Sequence, residues 1–144
     1  MAPILFGVGL MLKIYCDTNV FLDFLNNRSD HLRPLGLFAF EFFSRGWGCS
    51  FHLVVSEWNI EELRNYASED SINELLGYFE EKQKLIRVGY TAQEKTAAMA
   101  QSSHWQDALH LIIATREKCD KLVTRNVSDF PSSSTIDICY PENV

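Results

Sequence analysis

Lys13-Ile14-Tyr15-Cys16-Asp17-Thr18-Asn19-Val20 is the stretch whose reading decides the fold. A short apolar, β-prone run ends here in a carboxylate, a hydroxyl and an amide, and an amphipathic run follows at once. Open α/β sheets place their chemistry just past the C-terminal ends of strands, where Asp17 falls. The rest of the chain decides whether that carboxylate has partners at equivalent places.

Upstream, Leu12 to Cys16 reads as a buried strand. Downstream, Thr18 or Asn19 is the expected cap of a helix whose apolar face is Val20, Phe21, Phe24 and Leu25. Asn26 to Asp30 is a polar turn. Pro34 opens a second helix, largely apolar through Leu35, Leu37, Phe38, Phe40, Phe42 and Phe43 and ended by Gly46. This Phe-rich helix suits the core or a partner-binding face.

Further strands are expected from Cys49 to Val55, Leu85 to Val88, Lys121 to Thr124 and Ile136 to Cys139. Between them, Ser56 caps a helix carrying Trp58, Ile60 and Leu63. Asp70 or Ser71 caps another, with Leu75, Leu76 and Phe79 inward. Thr91 and Glu94 form a capping box for a third. The most regular helix runs from Trp105 to about Lys118, with Ala108, Leu109, Leu111, Ile112 and Ala114 on its apolar face. Strands alternating with helices, too far apart for hairpins, predict an α/β fold. The expected form is a three-layer α/β/α sandwich around a mostly parallel sheet of four to five strands.

The chain has 144 residues, 47% of them apolar and 22% charged, which suits one globular domain. Residues 1–11 read as an N-terminal extension and 12–144 as the domain; Met11 is an alternative start. No apolar run approaches the roughly 18 residues of a membrane span, and Met1 to Leu12 has no basic region or cleavage pattern of a secretory signal. Cys16, Cys49, Cys119 and Cys139 are scattered, without a CxxC pair, and read as free thiols in a reducing cytoplasm. A net charge of −6 disfavours a broad nucleic-acid platform but suits gathered metal-binding carboxylates or a basic protein partner.

Acids and amides follow the expected strands in turn. Asp17 follows the first, and Glu57, Glu61 and Glu62 the second. Asp107 sits in the first turn of the long helix. Thr124-Arg125-Asn126 follows the fourth strand, with Asp129 just beyond. Glu57 and Glu61 share one helical face while Glu62 is turned about 100° from Glu61, so all three cannot face one site. Such acids on one sheet edge would repel each other unless a cation joined them, and all-oxygen donors suit Mg²⁺ or Mn²⁺. One or two such ions could activate water for phosphodiester hydrolysis without a catalytic His or Cys. His104 and His110 read as surface or packing residues.

Four motifs in order now give a specific likeness: Ile14-Tyr15-Cys16-Asp17-Thr18-Asn19-Val20-Phe21-Leu22-Asp23, Ser56-Glu57-Trp58-Asn59-Ile60-Glu61-Glu62-Leu63, Gln106-Asp107-Ala108-Leu109-His110-Leu111, and Leu122-Val123-Thr124-Arg125-Asn126-Val127-Ser128-Asp129-Phe130. The chain resembles the PIN-domain ribonucleases, in the style of VapC-type toxins, from Leu12 to about Tyr140. The resemblance implies a metal-dependent RNA-cleaving nuclease with Asp17, Glu62 and Asp107 as metal-binding acids. It implies Asn19 positioning Asp17, and Thr124 bonding near the metal. The fourth acid falls at Asn126 in some relatives and at Asp129 in others, so both stay open here. Asn59 stands where relatives carry threonine. The resemblance also implies a homodimer and a small antitoxin whose tail reaches the acidic site. RNA-contact candidates are Arg28, Arg33, Arg45, Arg64 and Arg125, the last equally able to pair with Asp107 or Asp129.

Other readings are a PIN-like binding module without hydrolysis, favoured by Asn126, or an RNA-processing nuclease outside a toxin system. A haloacid-dehalogenase-like phosphatase is disfavoured, because Asn19 stands where its second strand-end aspartate belongs.

Overall fold

Strand β1 (Leu12–Cys16) turns Ile14 and Cys16 into one apolar cluster and Tyr15 into another, so it needs cover on both faces. In the computed structural model, which describes residues 11–27, 33–48, 50–131 and 134–144, it receives that cover. It is the middle strand of five, in the order β3-β2-β1-β4-β5, with β2 (Phe51–Ser56), β3 (Leu85–Val88), β4 (Lys121–Val123) and β5 (Asp137–Cys139). Every pairing is parallel, with Ile14 beside Leu53 and Tyr15 beside Leu122.

The helices are α1 (Thr18–Leu25), α2 (Leu35–Trp47), α3 (Glu57–Leu63), α4 (Glu69–Glu81), α5 (Ala92–Gln101) and α6 (Trp105–Arg116). One layer packs Phe21, Phe42, Phe43, Leu75, Leu76 and Phe79 against the sheet, drawn from α1, α2 and α4. The opposite layer packs Ala98, Leu109, Ile113 and Ala114 of α5 and α6. Short α3 spans the two, with Ile60 and Leu63 in the first cluster and Trp58 in the second. This is the expected three-layer α/β/α sandwich, its sheet parallel throughout.

The Phe-rich α2 is chiefly core. Phe42 stacks on Phe51 with ring centroids 4.9 Å apart, and Phe43 on Phe21 at 5.3 Å. Leu37 and Phe40 remain half-exposed. Gly46 does not end this helix, which runs to Trp47. It makes room instead, since a Cβ there would run into the rings of Phe79 and Phe51.

The caps differ from expectation in two places. Asp17, not Thr18 or Asn19, holds the N-cap position of α1, and its side chain makes no capping bond because a tertiary partner claims it. Ser68, not Asp70 or Ser71, caps α4, accepting from the Ser71 N–H at 3.1 Å. The Ser56 cap and the Thr91–Glu94 capping box form as expected. The long helix stops at Arg116, short of Lys118, whose left-handed φ of 56° swings the chain towards β4. Strand β2 begins at Phe51 rather than Cys49, which lies outside the described residues, as do residues 1–10 of the expected extension.

Cys16, Cys119 and Cys139 are free thiols, the first two buried. Among the described residues, no helix is long and apolar enough to cross a membrane.

Candidate active site

Sheet order 3-2-1-4-5 puts the reversal of winding between β1 and β4, the crevice where open parallel sheets bind ligands. Asp17 leaves β1 there with its N–H bonded to the Val123 carbonyl at 2.9 Å, so the ladder extends one residue past the strand and fixes the backbone below the carboxylate. Thr124 leaves β4 beside it and donates from Oγ1 to Asp17 Oδ2 at 2.9 Å. Asn19 acts one step further out. Its Nδ2 donates to Thr124 Oγ1 at 3.4 Å, while its Oδ1 accepts the Arg125 N–H at 3.2 Å. Asn126 meets the same hydroxyl through its backbone N–H, 3.1 Å away.

The second strand end supplies Glu62. The three glutamates on α3 separate as helical spacing requires: Glu61 accepts from the Tyr90 hydroxyl at 2.6 Å, Glu57 pairs with Arg87 at 3.6 Å, and Glu62 turns to Thr18 and His110, on the cavity that Asp17 also lines. Glu62 Oε1 accepts from Thr18 Oγ1 at 2.6 Å and lies 2.7 Å from His110 Nε2. The same nitrogen is 3.5 Å from Asp17 Oδ1.

His110, expected to be a surface or packing residue, is therefore the floor of the site. It is 1% exposed, and its Nδ1 lies 2.6 Å from the Tyr15 hydroxyl, itself 2.7 Å from Ser56 Oγ. A carboxylate cannot donate, so Nε2 carries the hydrogen towards Glu62. Burial alone would lower the imidazole pKa; the Glu62 hydrogen bond and the charges of Asp17, Glu62 and Asp107 outweigh it and raise the value. With Nδ1 protonated as well, the donors run consistently from His110 to Tyr15, to Ser56 and to Asn59 Oδ1 at 3.1 Å.

Asn59 explains why an amide stands in the middle motif. It is fully buried and completes the Ser56 capping box, with Oδ1 accepting the Ser56 N–H at 2.9 Å. Its Nδ2 holds the Cys16 carbonyl at 3.1 Å and Thr18 Oγ1 at 2.9 Å. One side chain thus ties the end of β1, the start of α1 and the start of α3 together, and so orients Thr18 towards Glu62.

Asp107, in the first turn of α6, lines the same cavity of about 360 Å³ as Asp17, Glu62, Trp58 and Tyr66. Burial first, and then the charges of Asp17, Asp129 and Glu62, push its carboxyl up to about 6 against the opposing pull of His110. Burial likewise raises Asp17, with Glu62 adding to it and His110 and Thr124 resisting. Both partners in the His110–Asp17 contact thus shift upward. For Asp17 that is no sign of a failed pairing: burial and a like charge outweigh one imidazole.

Asp129 stands apart. It is exposed in a short 3₁₀ turn (Val127–Asp129) and faces Asp107 across a separate depression of about 250 Å³. Asp107 is the wall common to both hollows, and Asp129 reaches the site through charge.

The arginines take other roles. Arg125 pairs with buried Asp23 at 3.1 Å, not with Asp107 or Asp129. Arg33 pairs with Glu142 at 2.8 Å and lies over the Tyr140 ring, Arg64 pairs with Glu69 at 2.6 Å, and Arg45 donates to the Pro141 carbonyl at 2.8 Å. Arg28 lies outside the described residues.

Among the described residues no three or more His, Cys, Asp and Glu groups form a ready-made metal cage. The donor chemistry nonetheless fits a hard cation. Asp17 and Glu62 bracket one nitrogen, Asp107 lines the same cavity, and Mg²⁺ characteristically takes one or two carboxylates and keeps waters. No family model matches the chain, and no curated protein matches it at a significant level.

Proposed function

We propose that this protein is a Mg²⁺- or Mn²⁺-dependent endoribonuclease of the PIN-domain type, acting in the cytoplasm as the toxin of a toxin–antitoxin pair. The observation that carries the reading is the convergence of Asp17, Glu62 and Asp107 on one cavity at the winding reversal of a parallel sheet. Burial first, and then the neighbouring acids, raise the Asp107 carboxyl, and a fold tolerates that cost where function needs the charge. The four ordered motifs support the PIN assignment.

Asp17, Glu62 and Asp107 would hold the cation. Bound there, it supplies a Lewis acid and a water activated near neutral pH for in-line attack at phosphorus. Thr124 and Asn19 hold the Asp17 carboxylate in one orientation, while Thr18 and His110 hold Glu62. Tyr15, Trp58 and Asn59 are buried behind these groups. Among the described residues, no Lys or Arg lines the cavity. In this reading the cation would meet phosphate charge, and base contacts to single-stranded RNA would supply the rest of the affinity. The acidic cavity also suits the basic tail of a small antitoxin. A homodimer is part of the same proposal and is tested by light scattering.

The test is Asp17→Asn assayed on structured and single-stranded RNA with Mn²⁺. Loss of cleavage with an unchanged fold is expected; wild-type cutting by D17N would sink the assignment. A second reading, a PIN-like module that binds RNA or protein without cutting, is favoured by one observation: His110 already engages Glu62 and approaches Asp17. An RNA-processing nuclease outside a toxin system shares the same site chemistry. Calorimetry separates the module from the nucleases, because the module shows no heat with millimolar Mn²⁺.

A further inference from the structure

Glu62 Oε1 takes two donors, Thr18 Oγ1 at 2.6 Å and His110 Nε2 at 2.7 Å. Two donors fill the in-plane lone pairs of a carboxylate oxygen, leaving Oε2 for any cation. On Asp17, Oδ2 takes the Thr124 hydroxyl, and Oδ1 faces the same His110 nitrogen at 3.5 Å. The imidazole N–H thus stands between the two carboxylates. A nitrogen that donates a hydrogen bond is not a ligand.

His110 also cannot step aside. Its Nδ1 is tied to the Tyr15 hydroxyl, and the ring lies among aromatic neighbours, with centroids 5.5 Å from Tyr15 and 6.2 Å from Trp58. Evicting the N–H would cost the imidazole its hydrogen bond to Glu62 Oε1, and the imidazole is 1% exposed. A buried polar group left without a partner carries the full cost of its desolvation, which opposes any second ion at this point. Asp129 does not rescue a second ion position, because it faces the neighbouring depression.

We infer that His110 is a positioning residue that stands in for a second cation, orienting Glu62 through Nε2–H so that the site takes a single divalent ion between Asp17, Glu62 and Asp107. This rests on the metal-dependent reading above. It predicts that Glu62 binds through one oxygen and that the His110–Glu62 hydrogen bond survives metal loading.

The test titrates Mn²⁺ into the full chain by calorimetry, with free Mn²⁺ counted by electron paramagnetic resonance. Wild type should bind one equivalent. His110→Gln keeps an N–H donor near Glu62 and should also bind one. His110→Leu removes the donor and frees Oε1, and should bind two. With Mg²⁺ in place of Mn²⁺, the His110 Nε2–H resonance of wild type should persist at saturation. Two equivalents on wild type, loss of that resonance, or identical stoichiometry for His110→Leu and wild type would each overturn the inference while RNA cleavage, measured alongside, leaves the nuclease reading standing. No Mn²⁺ binding at all overturns both. The wild-type count needs no variant, so the inference is tested even where His110→Leu fails to fold.

Discussion

Replacing Asp107 with Asn should stabilise the metal-free protein at neutral pH, which is the reverse of what removing a half-buried, functional carboxylate is usually expected to do. The folded protein pushes this carboxyl up to about 6, against an ordinary value of 3.8. A folded-state pKa above the unfolded one means the native state holds a proton that the unfolded chain has released. Stability is therefore intact below about pH 4, falls as pH rises through 6, and stays lowered above that. Lifting a carboxyl that far corresponds to about 3 kcal/mol at full burial, and half-exposure in water reduces the effect to about 1–1.5 kcal/mol. For a chain of this size the gain from Asp107→Asn is a melting temperature about 3–6 °C higher at pH 7.5 in EDTA. At pH 4 the two proteins should melt together. Saturating Mn²⁺ should invert the order, since a ligand at a hundred times its Kd adds about 2.7 kcal/mol to wild type alone. Thermal melts followed by circular dichroism at two pH values, with EDTA and with Mn²⁺, measure each of these differences. An Asp107→Asn protein that melts at or below wild type at pH 7.5 in EDTA, or keeps the same advantage at pH 4, would refute the linkage between this carboxyl and stability.

Three other outcomes follow from the packing and the cavity. Gly46→Ala pushes a methyl group into the Phe79 and Phe51 rings and should cost about 1–3 kcal/mol in urea denaturation, with an unchanged slope. Asn59→Ala removes a helix cap and strands the buried Cys16 carbonyl, together costing about 2–4 kcal/mol; a loss under half of that would show the network to be slack. Tyr66 is 67% exposed on the rim of the acidic cavity, so Tyr66→Ala should raise the KM for single-stranded RNA by roughly ten- to a hundred-fold with little change in kcat, the worth of one stacked base; an unchanged KM would remove Tyr66 from the RNA path.

Much of the architecture was legible because it rests on local pattern. The Ser56 cap, the Thr91–Glu94 box and the alternation of Ile14, Tyr15 and Cys16 are all properties of near neighbours. The choice of Glu62 over Glu61 and Glu57 was partly legible too, since helical spacing said that all three could not share one direction. Asp70 and Ser71 were plausible caps for α4, but Ser68 stands three residues before a backbone N–H it can reach, and that offset decided the start. Gly46 looked like a stop and proved to be a clearance. Whether a glycine ends a helix or admits a ring depends on Phe51, which lies on the next strand, and on Phe79, 33 residues away.

The sequence by itself determined the parallel α/β layering and the order in which acids appear at strand ends. Both follow from hydrophobic periodicity and the turn chemistry of neighbouring residues. Tertiary structure alone decided what those acids meet. Arg125 turns to Asp23 rather than to Asp107 or Asp129, because the side chain reaches a buried carboxylate on α1. His110 looked in sequence like one more polar residue on an apolar helix. Only when α6 packs under β1 does Tyr15 hold one ring nitrogen and Glu62 take the other. Contacts spanning 95 and 48 residues leave no local periodicity to read, and burial decides their strength by excluding the water that would otherwise compete.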